Sequence, residues 1–204
     1  MSSAAMDHGH SAGGHHTSLP IDNRKLAIWT FIGSECLFFA TLISTFLIYR
    51  GQSVSGPGPK DIFEVPLVTG GTAVLLFSSF FVVMALNGAQ EGNRKKLLTW
   101  LSLTVLCGMF FAGMQVYEFM HFYHLGLGYS TNLFSASFYT LTGFHGAHVT
   151  MGTLWLATLL KDAIKGNLPP EKSLNLEIAA LYWHFVDVVW IIIFPVVYLM
   201  SLGN

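Results

Sequence analysis

Apolar residues gather into five runs along the chain, at 26–49, 66–87, 97–120, 134–160 and 178–202, separated by polar residues, glycine and proline. Each run can carry a helix across a hydrocarbon core of about 30 Å, which takes about 20 residues. Inside lipid no water satisfies backbone N–H and C=O groups, so the runs are predicted to be helical. The punctuation agrees. Gly51 to Pro59 reads as a loop by its glycine and proline content. Pro66 suits a first helical turn, where its missing N–H costs nothing. Asn87-Gly88 is expected to close the second helix, and Asn167 to Ser173 separates the fourth from the fifth. Pro195 lies inside the last run and frees the carbonyl of Ile191, which predicts a kink. The pattern therefore predicts an all-α fold, a polytopic membrane helical bundle with five transmembrane helices.

Composition strengthens this reading. Of 204 residues, 52% are hydrophobic and 10% charged, whereas soluble domains are about a quarter charged. A net charge of −1 gives no reason to expect nucleic acid as a partner. The basic residues are unevenly shared. Arg24, Lys25, Arg94, Lys95, Lys96, Lys161, Lys165 and Lys172 fall on one side of the predicted crossings, and only Arg50 and Lys60 on the other. The positive-inside rule then places the amino terminus in the cytoplasm and the carboxy terminus outside. Residues 1–25, with His8, His10, His15 and His16 among Gly, Ser and Ala, read as a disordered cytoplasmic tail. Because that polar tail precedes the first run, the run is expected to be retained rather than cleaved. Residues 26–204 read as one transmembrane domain without an internal repeat. Cys36 and Cys107, in apolar segments away from any CxxC pattern, are expected to be small core residues.

The candidate chemistry lies in polar residues at membrane depth, which are expensive there and must face protein, headgroups or water. In the last run, His184 and Asp187 stand three residues apart, so they can partner each other, with Trp183 and Trp190 beside them. They read as a helix-fixing pair or as participants in proton transfer. Glu35 sits about nine residues, roughly 13 Å, into the first helix, so it is either protonated or met by a cation or donor. The fourth run carries His145 and His148, with a neighbouring stripe of Gly143, Ala147 and Thr150 that would let helices approach closely. Two histidines without further ligands fall short of a closed metal site, so no metal is expected. Glu118, His121 and His124 end the third run, where nearby water would account for their polarity. No phosphate loop, nucleophile elbow or haem-attachment motif appears.

Three motifs in order cover nearly the whole chain from Trp29 onward. They are Gly33-Ser34-Glu35-Cys36-Leu37-Phe38-Phe39, Gly143-Phe144-His145-Gly146-Ala147-His148-Val149, and Tyr182-Trp183-His184-Phe185-Val186-Asp187-Val188-Val189-Trp190, the last followed by Val197-Tyr198-Leu199. Together they resemble subunit III of the haem-copper respiratory oxidases, in the short bacterial form that lacks the first two of seven helices. The resemblance implies an accessory, non-catalytic subunit of a proton-pumping terminal oxidase in the plasma membrane. It would have no redox centre or bound cofactor of its own; haems and copper belong to partner subunits. Subunit I would be the main contact, with subunit II and a small subunit IV as further partners and structural phospholipid in a cleft. Glu35 matches the family's carbodiimide-reactive carboxyl and would modulate proton uptake. His145 and His148 would face the bundle and help hold Glu35, while Trp183, His184, Asp187 and Trp190 would be structural or lipid-cleft residues. Cytochrome c is the expected electron donor, with quinol the alternative. A reading from another class is a small membrane transporter relaying protons through Glu35, His145, His148 and Asp187, which would need an aqueous path and broken helices or repeats.

The charge asymmetry makes the topology testable. A reporter active only outside the cytoplasm should be active when fused after Asn204 and silent when inserted near Asn93; the reverse pattern contradicts the assignment.

Overall fold

The computed structural model describes residues 22–51 and 65–200. The histidine-rich tail, the loop expected beyond Gly51 and the end of the last run beyond Met200 lie outside the described residues. Among the described residues five long helices follow in order: α1 (Asn23–Tyr49), α2 (Val65–Gln90), α3 (Arg94–His124), α4 (Leu133–Lys165) and α5 (Ser173–Phe194). A short 3-10 turn, Pro170–Lys172, leads into α5. Among the described residues there is no strand.

Local chemistry sets the ends. Asp22 caps α1 by accepting the Arg24 N–H at 2.8 Å, a bond that, with the Arg24 guanidinium, holds this exposed carboxyl below the usual carboxylate range. Asn93 accepts from Lys96 N–H at the start of α3, and Asn132 with Ser135 forms a capping box on α4. Gly166, at φ 78°, ends α4 in the left-handed conformation that glycine adopts without strain. Asn87-Gly88 does not end α2. The helix runs to Gln90 and the chain turns at Gly92, with φ 69°. Gly88 serves packing instead, since a Cβ there would stand 2.8 Å from the Leu97 backbone nitrogen. At Pro195 the α-helix gives way to a π turn, Pro195–Leu199, closed by Met200 N–H on the Pro195 carbonyl. The proline thus produces a widened turn where a kink is expected.

Contacts at the two ends show that neighbours in sequence run antiparallel. At one end Arg24 reaches Asn175 at 3.2 Å, Lys25 pairs with Glu177 at 2.7 Å and Arg94 bonds the Ile164 carbonyl. At the other, Tyr139 donates to the Leu127 carbonyl at 2.7 Å and Tyr198 to Glu118 at 3.0 Å. α5 is the central element: 56% of its membrane-length stretch is buried, against 11% for α1. α1 touches the bundle along a narrow stripe of Ile28, Phe39 and Phe46 and leaves Trp29, Leu37 and Ile48 exposed. Such broad apolar exposure suits lipid or another apolar surface rather than water.

Four of the five helical segments are long and apolar enough to cross a membrane, namely α1, α2, α3 and Pro170–Leu199. α4 is the longest helix at 33 residues, but its histidines, glycines and hydroxyl residues lower its hydropathy below theirs. Its small residues explain themselves in packing. A Cβ at Gly152 would lie 2.9 Å from the Trp183 ring and 3.0 Å from the Tyr182 ring, and one at Gly108 would stand 2.8 Å from Trp183. The Trp183 indole and the Tyr182 ring are thereby seated against backbone, which raises dispersion contact where apolar burial drives little association. The stripe expected to let helices approach closely is placed otherwise: Ala147 and Thr150 are exposed, and the nearest side-chain atom to a Cβ at Gly143 would be Phe119, at 3.8 Å. Cys36 also departs from expectation, facing outward on α1, while Cys107 is half-buried.

Gly152→Val should destabilise the chain by about 1–3 kcal/mol, because the added methyls force Trp183 and Tyr182 from their places. Gly33→Ala, with open space around its Cβ, should leave the thermal midpoint of the purified protein within experimental scatter of the parent.

Candidate functional site

Glu35 and His148 meet across the α1–α4 seam. His148 Nε2 lies 3.2 Å from Glu35 Oε2, with side-chain exposures of 14% and 19%. The other ring nitrogen decides how the proton is shared. Nδ1 stands 2.7 Å from the Phe144 carbonyl, and a carbonyl only accepts, so Nδ1 carries a hydrogen. A neutral His148 then presents a lone pair at Nε2, and Glu35 must be the donor. A doubly protonated ring would instead face a carboxylate. In both arrangements one proton is held between the two groups, which is how a carboxyl at this depth avoids standing as a lone charge. Phe39 closes over the pair, 5.0 Å from the His148 ring centre to centre. Tyr182 OH donates to the His148 carbonyl at 3.2 Å and ties the site to α5.

His145 behaves differently from its neighbour. It is fully buried, stacks on Trp190 at 4.7 Å and 21°, and both its ring nitrogens are without a hydrogen-bond partner among the described residues. It faces the bundle as expected but does not hold Glu35; only His148 does. A helix turns by about 100° per residue, so residues three apart diverge by roughly 60° around the axis, enough for one ring to reach α1 and the other to sit in the core.

The last motif faces α2. Trp183 Nε1 donates to Ser78 Oγ and Trp190 Nε1 to Thr72 Oγ1, each at 2.9 Å. Those hydroxyls spend their own hydrogens on the Leu75 and Val68 carbonyls. Their oxygens are therefore left as acceptors, which matches an indole that can only donate. His184 and Asp187 do not partner each other. Ser79 stands between them, 2.8 Å from His184 Nδ1 and hydrogen-bonded to Asp187 Oδ2. The geometry of one helix allowed the direct pair; packing inserts a hydroxyl from another.

Sequence reasoning missed Ser79 and Gln115 and misjudged Glu118. Ser79 is a serine in an apolar run, without a motif to announce it. Gln115 is buried, donates to the Thr142 carbonyl at 2.5 Å, and occupies the space that a side chain at Gly146 would need. Glu118, assigned to the watery end of the third run, is 5% exposed and receives the buried Tyr198 hydroxyl. Its position at the predicted span end concealed that the π turn folds back over it. Among the described residues, no three His, Cys, Asp or Glu side chains converge as metal ligands would.

Residues 5–202 match the family described as cytochrome c oxidase subunit III. The chain belongs to that family. It is 42% identical over 179 residues to the quinol oxidase subunit 3 of Bacillus subtilis, covering 88% of each chain. It is 40% identical over 180 residues to the cytochrome c oxidase subunit 3 of Bacillus sp. (strain PS3), covering 88% of this chain and 87% of that one. It is 37% identical over 195 residues to the cytochrome bo(3) ubiquinol oxidase subunit 3 of Pseudomonas aeruginosa, covering 96% and 90%. Subunits III of both donor classes thus stand at similar distances. The three motifs of the sequence all fall within the matched residues.

A hydrophobic carbodiimide reacts with a protonated carboxyl in apolar surroundings. It should label this subunit III at Glu35, and Glu35→Ala should abolish the label. An ionised carboxylate band assigned to Glu35 by infrared spectroscopy at pH 7, together with a neutral imidazole at His148, would contradict the shared-proton arrangement.

Proposed function

We propose that the chain acts as the non-catalytic subunit III of a haem-copper terminal oxidase, sustaining proton uptake by a neighbouring subunit I and keeping lipid in place beside it. Its family membership over nearly the whole chain carries this reading. The oxidase reduces O2 to water during aerobic respiration, with haems and copper in the partner subunits. Donor binding belongs to subunits I and II, which is why subunits III named for cytochrome c and for quinol oxidases are alike in similarity to this chain.

Five crossings of the plasma membrane follow in this reading, with the amino terminus in the cytoplasm. For α4 the support is its length, about 50 Å for 33 residues, and the placement of Lys161, Asp162 and Lys165 in its last turns. Its polar side chains Thr142, His145 and Thr153 are buried against other helices rather than turned outward. A helix can be polar by composition and still cross lipid when neighbours cover much of its polar face.

Glu35 and His148 supply the proton-handling part of the role. They sit on the loosely covered side of α1, where a partner subunit or lipid would adjoin, and hold an exchangeable proton between them. The lipid part rests on an apolar groove of about 520 Å³ lined by Ile28, Phe31, Trp155, Leu159 and Ile178, with Arg24 and Asn175 at its rim. Its walls suit an acyl chain and its cationic rim suits a phosphate headgroup.

Removal of the subunit distinguishes this role from a redox one. With haem content matched, the complex lacking the chain should begin turnover at the normal initial rate and then inactivate progressively as proton delivery falls behind electron delivery. Loss of haem absorbance upon its removal would show that the chain encloses or ligates a cofactor, and would overturn the accessory role.

A further inference from the structure

A second titratable cluster lies apart from Glu35 and His148, at the seam of α2 and α5. Asp187 is 3% exposed, and its Oδ1 has no hydrogen-bond partner among the described residues. Its Oδ2 meets Ser79 Oγ, which also lies 2.8 Å from His184 Nδ1. Neither α2 nor α5 contains a lysine or arginine, so no cation from these helices stands by to balance a carboxylate. The titratable groups on the elements packed around α5 are engaged elsewhere. Glu35 meets His148, Glu118 meets Tyr198, Glu177 meets Lys25, and His145 stacks on Trp190.

The serine carries one hydrogen and can both donate and accept. When Asp187 is protonated, its O–H donates to Ser79 Oγ and the serine O–H donates to His184 Nδ1. When Asp187 is ionised, the serine donates to Oδ2, and an N–H at His184 Nδ1 donates to Oγ. Passing from the first arrangement to the second breaks the O–H bond at Asp187 and forms one at Ser79. At the same time the former serine O–H breaks and an N–H forms at His184. One unit of positive charge crosses the serine, leaving a carboxylate and an imidazolium, and no heavy atom changes partner.

The imidazole is placed to pass that proton on. His184 is partly exposed, and Val188 and Ile191, one and two turns further along the helix, are 54% and 51% exposed. Its Nε2 lies at the far side of the ring from Ser79, and transfer of the Nε2 proton to a water molecule at this face returns a neutral ring with its hydrogen on Nδ1, the tautomer exchange that makes histidine a shuttle. We propose that Ser79, His184 and Asp187 form a proton-exchange site, a hydrogen-bonded chain through which a carboxyl buried at mid-helix trades its proton with the outer face of α5. It is separate from the Glu35–His148 pair and independent of which donor feeds the oxidase.

Infrared spectroscopy of the whole complex in D2O tests this directly. Subtracting the spectrum of Asp187→Asn isolates the protonated-carboxyl band of Asp187, and its isotope shift reports the exchange rate. In the parent, exchange should be prompt. Ser79→Ala should slow it by about tenfold or more, the scale of losing one hydrogen-bonded link, and Ser79→Thr, which keeps the hydroxyl, should restore it. His184→Phe is a second variant, altered at the partly exposed end, and should slow exchange likewise if Ser79→Ala does not assemble. Unchanged exchange in either Ser79→Ala or His184→Phe overturns the chain. So does the absence, across the pH range where the complex is stable, of any protonated-carboxyl band that Asp187→Asn removes.

Discussion

Polar side chains at membrane depth have no water to satisfy them, and the seam between α2 and α5 is where this chain meets that constraint most fully. Trp183 finds Ser78, His184 and Asp187 find the adjacent Ser79, and Trp190, further up α5, finds Thr72 further down α2. A net hydrogen bond contributes only about 1 kcal/mol, but a buried polar group left unpaired costs about 1–3 kcal/mol. A rotation or slip of either helix would strand several donors together, so the bonds act chiefly on register. The central helix is thus held in a single orientation, and everything that packs on it inherits that orientation.

Close backbone approach completes what the polar seam begins. Trp183, with its nitrogen on α2, lays its ring against Gly108 of α3 and Gly152 of α4. Trp190 does the same with Phe111 and His145. Each indole is amphipathic, so one residue satisfies a hydroxyl on one helix and fills a hollow between two others, floored by glycines for Trp183 and by aromatic rings for Trp190. Four helices are tied through two side chains, which explains how a bundle with so few charges keeps a defined packing.

α1 stands outside this lock. It is anchored at one end by Arg24 and Lys25 to the start of α5 and along its length by Phe39, Phe46 and the Glu35–His148 contact. The shared proton therefore lies on the least enclosed helix, next to surface that an isolated chain leaves apolar and exposed. That arrangement suits a subunit whose acidic group answers to a neighbour, whereas a carboxyl in the middle of the bundle, such as Asp187, answers to the fold around it.

The length of the apolar runs located five helices among the described residues, though the last begins five residues before its run and ends at Phe194, because a segment in lipid must satisfy its own backbone and needs a fixed length to cross. Thus α1, α2 and α3 lie within a few residues of the runs that predict them, and the motifs around Glu35, His148 and Trp190 sufficed to suggest the family. Helix ends set by glycine were less legible: Gly88 looked like a terminus and is a packing site, because a missing Cβ serves a turn and a close approach equally well. The pairings were not legible at all. His184 and Asp187 are neighbours on one helix, yet Ser79 from another divides them; His145 and His148 read alike, yet only His148 reaches Glu35; Glu118 looked solvated, yet Tyr198 covers it. Sequence carries the spacing of side chains along a helix, but which face meets which neighbour depends on the rotation of five helices about their axes, and that is set only when all of them pack together.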